Sequence, residues 1–202
     1  MSLSNGIFHV GAHRGQEAAD YDRIRKPVLW VEAIPEIADS LEESVRALYR
    51  QIVVCACLSS RDGDEVQFHI ANNDGQSSSL YPFKSGKSGP GVLWPDQALH
   101  MSSTRALVTR TVDSILTESN LGLGNLDHWI VDVQGAELDV LKGATKSMVG
   151  CRSMLVETSS LNIYDGGARF DEVRGFLKSQ GFTNLWESSG HMDVLFVRTS
   201  LM

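Results

Sequence analysis

The sequence predicts an α/β fold in which a mostly parallel sheet carries helices on both faces and ends in an antiparallel hairpin. Three observations carry that prediction. Short apolar runs rich in β-branched residues occur at 7–10, 28–31, 52–57, 129–133 and 154–156, as expected of central strands covered on both sides. Segments with apolar residues at helical spacing lie between them, and parallel neighbours need such crossovers, each of which covers a face. In the tail, 182–186 and 194–197 are separated only by 187–193. That is too short for a helical crossover, so these two strands pair antiparallel.

In chain order, strand 7–10 runs into a turn bounded by Gly11 and Gly15, and a helix leads to strand 28–31. Pro35 suits a first helical position, where a missing N–H costs nothing, and Ile37, Leu41, Val45 and Leu48 follow at helical spacing. Run 52–57 contains Cys55 and Cys57, which strand alternation turns to one face. With Cys151 they read as buried free thiols, three being too few for a disulfide framework. Segments 65–70 and 106–112 read as extra strands. Between them 71–105 shows no sustained periodicity, and Ser, Gly and Pro fill 14 of the 33 positions of 72–104. So long an irregular stretch reads as a lid over an acceptor substrate, with Tyr81, Lys84, Lys87, Trp94 and His100 as its contact side chains. Leu138, Leu141, Ala144 and Met148 mark a helix after Glu137, and Val173, Phe176 and Leu177 another before the stop signal Gly181.

A chain of 202 residues and 22.2 kDa reads as one domain, 1–202, with the insertion at 71–105. Its net charge of -7 and pI near 5.3 oppose nucleic-acid binding, which draws on clustered Lys and Arg. The one dense basic group, Arg23, Arg25 and Lys26, reads as a solvated helix end. No run approaches the ~20 apolar residues a membrane span needs, and no leader-like stretch opens the chain. The expectation is a soluble, cytoplasmic protein. Nothing in the pattern specifies an oligomeric state.

Open parallel sheets bind ligands at the carboxyl ends of their strands, so candidate site residues follow from position. Gly11, Ala12, His13 and Gly15 end the first strand. Glu32 and Ala33 end the second, Cys57, Leu58 and Ser59 the third, Asp132, Val133 and Gln134 the fourth, and Glu157, Thr158 and Ser159 the fifth. Glu32 lies 17 residues beyond Gly15, where a Rossmann-like unit places the acid that accepts from two ribose hydroxyls. Gly11 and Gly15 enclose three side chains, which is not the G-x-G-x-x-G spacing that brings backbone against a pyrophosphate. A phosphate-free nucleoside such as S-adenosylmethionine therefore fits better than NAD, and an NAD-dependent oxidoreductase is the weakest alternative. Asp132, where a buried strand meets a helix, is a candidate general base, as is His13, whose imidazole titrates near neutrality. Glu137 reads as a first-turn acid and His9 as a hydrogen-bonded core group. The histidines are too dispersed in sequence to suggest a metal site.

Several segments together resemble the FkbM family of S-adenosylmethionine-dependent methyltransferases. They are Val10-Gly11-Ala12-His13-Arg14-Gly15, Trp30-Val31-Glu32-Ala33-Ile34-Pro35, Gln76-Ser77-Ser78-Ser79-Leu80, Thr111-Val112-Asp113-Ser114-Ile115 and Val131-Asp132-Val133-Gln134-Gly135-Ala136-Glu137-Leu138. The resemblance implies a class I methyltransferase fold and O-methylation of a hydroxyl on a small molecule, sugar or glycan. It implies cofactor contacts at Gly11, Ala12, Gly15 and Glu32, with Asp132 and Gln134 at the methyl-transfer end; Ala33 and Leu58 join them by strand-end position. His9 departs from the motif, which usually carries an acid there, and Gln134 often has a glutamate counterpart. His9 therefore keeps open a second reading, a nucleoside-binding regulatory protein that retains the pocket without the transfer chemistry.

Overall fold

The computed structural model describes residues 5–85, 89–118 and 125–201. Its first half alternates β1 (Ile7–Val10), α1 (Ala18–Arg23), β2 (Val28–Glu32), α2 (Pro35–Val45) and β3 (Gln51–Cys55). A short β4 (Cys57–Leu58), β5 (Glu65–Ala71) and β6 (Met101–Arg110) follow, then α3 (Val112–Glu118), β7 (His128–Val131), α4 (Glu137–Lys142) and β8 (Ser153–Ser159). The chain finishes with α5 (Phe170–Ser179), β9 (Phe182–Asn184) and β10 (His191–Arg198).

Seven strands form the main sheet in the order β3-β2-β1-β7-β8-β10-β9. β1, β2, β3, β7 and β8 run parallel, and β10 pairs antiparallel with both β8 and β9. The tail hairpin is therefore present, with its returning strand inserted between β8 and β9. Alternation assigns the two faces. Phe8, Val10, Leu29, Val31 and Trp129 pack with Val112, Val140, Leu141, Val173 and Leu177 of α3, α4 and α5. Ile7, Val28 and Trp30 pack with Ala18, Leu41 and Val45 of α1 and α2. Leu41 is wholly buried, and truncating such a leucine to alanine costs about 2–5 kcal/mol.

Strand order reverses between β1 and β7, because the chain builds outward through β2 and β3 and then returns to β1's other side. The carboxyl ends of these two strands diverge there, which opens the crevice.

Several boundaries differ from the sequence reading. Run 52–57 is not one strand: the Ala56 N–H donates to the Glu32 carbonyl, and Cys57 then pairs with Thr109 in a second sheet of order β4-β6-β5. Cys55 is consequently exposed while Cys57 is buried, and all three cysteines are free. The extra strand expected at 106–112 begins earlier, at Met101, and Val112 already opens α3. The helix marked from Leu138 to Met148 stops at Lys142, with Met148 in a separate 3-10 turn. Gly143 explains the break, since the chain passes so close to the Ser59 carbonyl that a Cβ there would overlap it.

Candidate functional site

The crevice between β1 and β7 opens into a cavity of about 460 Å³, within the range of small-molecule sites. Its floor is set by backbone. Gly11 takes φ +78, its N–H donates to the Val31 carbonyl, and the Asp132 N–H donates to the Val10 carbonyl. A Cβ on Gly11 would overlap the Asp132 carbonyl oxygen, so only glycine lets the two strand ends lie this close.

Glu32 is buried at the end of β2. One carboxylate oxygen accepts the His13 N–H at 2.9 Å and the other the Ile34 N–H at 2.8 Å. Burial raises its pKa, and these two donors pull the other way. Each oxygen keeps a further lone pair. Ala12, Ala33 and Leu58 share the cavity wall with Glu32, and Cys57 and Phe68 extend it. Gly15 lies outside the wall: at φ +65 it packs against Leu41, where a Cβ would strike the side chain.

His13 lines the cavity at φ +45 and is held from both sides. Its Nε2 lies 3.0 Å from the Asp74 carbonyl and its Nδ1 3.2 Å from Gln16 Nε2. The turn after β1 is thereby tied to the insertion, whose Ser77, Leu80, Trp94 and Leu99 line the same cavity. Among the contact side chains named for the insertion, Trp94 is in this wall. Tyr81 donates to Asp139, Lys84 pairs with Asp165 and His100 lies against the Ala98 carbonyl. Lys87 lies outside the described residues.

His9 also borders the cavity but is built into the core. Its ring stacks on Trp30 at 4.8 Å between centroids, and its Nδ1 lies 3.3 Å from the Tyr21 hydroxyl. Burial depresses its pKa to about 3, so the imidazole is neutral.

The opposite end of the cavity is acidic. Gln134, at φ +56, donates through Nε2 to Asp132 Oδ1 and to Glu157 Oε2, both at 2.6 Å, and its Oε1 accepts the Tyr164 hydroxyl at 2.6 Å. Glu137 folds back so that one oxygen accepts the Val133 and Gly135 N–H groups, consistent with a first-turn acid. Asp132, Glu137 and Glu157 each bring an oxygen within 4.8 Å of the others, a convergence that sequence spacing did not reveal. Burial drives all three pKa values up, reinforced by their mutual repulsion: Glu137 to about 7, Glu157 to about 8 and Asp132 well above the carboxylate range. Such a group holds protons in common near neutral pH.

Sequence position did not single out His191. It opens β10 opposite Ser159, on the cavity wall, with Nε2 3.0 Å from Glu157 Oε1. Its Nδ1 is buried and without a hydrogen-bond partner among the described residues. The missed signal was topological, because an antiparallel return strand starts where its parallel neighbour ends. Thr158 and Ser159 lie beyond the cavity, around a small neighbouring space.

The family model described as the methyltransferase FkbM domain matches residues 9–183. The 2-O-methyltransferase NoeI of Sinorhizobium fredii (strain NBRC 101917 / NGR234) is 25% identical over 197 residues, covering 96% of this chain and 80% of that protein. Among solved structures, magnesium protoporphyrin IX methyltransferase from Synechocystis PCC 6803 with bound S-adenosylmethionine superposes at a TM-score of 0.52 with 8% identity, over 96% of this chain and 70% of that one. The same enzyme with bound S-adenosylhomocysteine gives 0.51, with 74% of its chain covered. The shared fold is that of the class I S-adenosylmethionine-dependent methyltransferases. Among the described residues no helix is long and apolar enough to cross a membrane.

Proposed function

Since the chain belongs to the FkbM methyltransferase domain family, whose methyl donor is S-adenosyl-L-methionine, we propose that it methylates a hydroxyl oxygen on a small molecule, sugar or glycan. The observation that carries this reading is Glu32: a buried carboxylate, each oxygen already oriented by one backbone N–H, facing the cavity with lone pairs to spare. A ribose diol offers two donors to such a group. The turn after β1, with three residues between Gly11 and Gly15, lacks the spacing of a phosphate cradle and fits a nucleoside without phosphates. The residues present thus suit the cofactor: Gly11, Ala12, Glu32, Ala33 and Leu58 hold its nucleoside, and Asp132 and Gln134 face its methyl end. Gly15 supports the turn from behind.

Bound there, S-adenosylmethionine supplies an activated methyl group. The chain contributes placement: the insertion acts as a lid whose Trp94 and Leu99 wall the acceptor space, and Asp132 with Gln134 orients the hydroxyl. Holding the pair in line removes the entropy of bringing two molecules together, which supplies much of the acceleration. The oxygen acceptor draws support from the similarity to the 2-O-methyltransferase NoeI.

The test uses S-adenosylmethionine labelled in its methyl group, with a panel of methyl glycosides, oligosaccharides and phenols. Label should enter a neutral hydroxyl compound and resist mild alkali, as an ether does. Label in an alkali-labile ester, in an amine, or in none of the panel would overturn the hydroxyl reading. Calorimetric binding of S-adenosylhomocysteine without any transfer would favour the regulatory alternative, for which the neutral, core-built His9 is the motivating feature.

A further inference from the structure

We propose that His191 takes the proton of the acceptor hydroxyl, with Glu157 as the group that orients its ring. The inference rests on the hydroxyl-methylation reading and goes beyond it, because neither Asp132 nor His13, the bases suggested by strand position, is free for the task.

Elimination supplies half of the case. His13 has both ring nitrogens engaged, by the Asp74 carbonyl and by Gln16. Asp132 is bound by Gln134, and burial together with the repulsion of Glu157 raises its pKa, which disfavours the carboxylate that a base requires. Glu137 spends an oxygen on two backbone donors. His9 is neutral, stacked on Trp30 and partnered by Tyr21.

Geometry supplies the other half. His191 Nε2 is 3.0 Å from Glu157 Oε1; in the proposed arrangement the proton shared by the acids sits on Asp132, Glu157 accepts from Nε2, and the lone pair is left on Nδ1. That nitrogen is buried and unpartnered, and an acceptor left bare costs stability until something donates to it. The ring shares the cavity wall with Asp132 and Glu157. Trp94 of the insertion stands edge-on to it, 5.4 Å between centroids at 89°. A hydroxyl seated beneath the insertion therefore meets a base whose second nitrogen is already held.

In the transfer, the O–H bond breaks as the O–CH₃ bond forms, the bonding pair of the methyl carbon goes to the cofactor sulfur, and the hydroxyl proton passes to Nδ1 and later to solvent. The groups facing the ring are Glu157 on β8, Asp132 after β7, Glu137 on α4 and Asp193 on β10. Desolvation lowers the pKa of the imidazole, and Asp132, Glu137 and Asp193 pull the other way, favouring the imidazolium once it forms. The logic is that of an imidazole oriented by a buried acid.

Two measurements on the full chain decide the matter. The first is ¹⁵N NMR of histidine-labelled protein with S-adenosylhomocysteine bound. At neutral pH it should show His191 protonated on Nε2 and bare on Nδ1, with that tautomer lost in Glu157→Gln. A proton resident on Nδ1 overturns the proposal whatever the acceptor is. The second uses the hydroxyl probe that takes most label in the panel above. His191→Ala and His191→Asn should lower kcat about 100-fold or more, leave the S-adenosylhomocysteine Kd within about threefold, and abolish the rise of rate with pH expected of the wild type. Turnover within a few-fold of wild type in a folded His191→Ala protein overturns it. If no probe is labelled by the wild type, the hydroxyl reading fails separately, and the tautomer alone decides whether His191 is poised as a base.

Discussion

At one end of the cavity Glu32 stands alone, one oxygen met by the His13 N–H from the turn that Gly11 makes possible and the other by the Ile34 N–H at the start of α2. At the other, Asp132, Glu137 and Glu157 crowd within 4.8 Å and lean on Gln134, His191 and two backbone donors. The first end is rigid and satisfied before any ligand arrives, so it suits recognition of an unchanging group. The second holds protons it gives up as charge nearby changes, so it suits chemistry. The difference teaches that burial alone does not define a catalytic carboxylate; the supply of fixed donors does.

The most severe way to break this contrast is Gly11→Ala. With φ +78 and the Asp132 carbonyl in the way, the variant must separate β1 from β7 and lose about 4 kcal/mol or more. Urea unfolding would measure it. A loss under about 1 kcal/mol would mean that the turn is soft and the recognition end is not preorganised.

Next comes Glu32→Gln. An amide keeps one acceptor oxygen but turns an NH₂ toward a backbone N–H, and it offers fewer lone pairs to a diol. Affinity for S-adenosylhomocysteine should fall ten- to a hundredfold, about 1.4–2.8 kcal/mol, by calorimetry. Unchanged affinity would remove the carboxylate from the nucleoside site.

The acidic end and His9 should tilt stability in opposite directions with pH. Glu157 and Glu137 have pKa values raised to about 8 and about 7. Their favourable contribution is complete below the unfolded carboxylate value and is lost as pH rises through those folded values. His9, depressed to about 3, contributes fully above the unfolded histidine value and loses that contribution as pH falls through its folded one. Urea midpoints should therefore peak in weak acid. Glu157→Gln should flatten the alkaline arm by about 2–4 kcal/mol and His9→Phe the acid arm by a similar amount. Midpoints that rise steadily from weak acid to pH 8 would contradict the proton-holding cluster.

Much of this architecture was legible because burial on both faces leaves a direct mark: the runs that became β1, β2, β7 and β8 are apolar without alternation, and seven-residue linkage forced the tail to pair antiparallel. Glu32 was legible for the same reason, being the first charge after an apolar strand. Less was legible where long-range contacts decide. Nothing local shows that the chain leaves the main sheet at Ala56, since that depends on the Glu32 carbonyl and on the pairing of Cys57 with Thr109, far along the chain in β6. His191 and Glu157 are likewise distant in sequence and adjacent only because β10 returns beside β8. The acidic cluster is a product of Gln134 at φ +56, a conformation that its residue type does not advertise.

The smallest effect tests the finest part of the contrast, how His9 is accommodated where the family motif usually has an acid. Its Nδ1 faces the Tyr21 hydroxyl at 3.3 Å, and Tyr21 in turn stacks on Trp30 at 5.2 Å. Removing only the hydroxyl in Tyr21→Phe preserves the stacking and leaves one buried nitrogen without its partner, for a loss of about 1 kcal/mol. Cofactor affinity should stay as it is, because the proposed nucleoside contact is Glu32 and not this pair. If Tyr21→Phe instead weakened S-adenosylhomocysteine binding tenfold, His9 would be a working part of the recognition end, and the acid of the motif would have been replaced in function as well as in place.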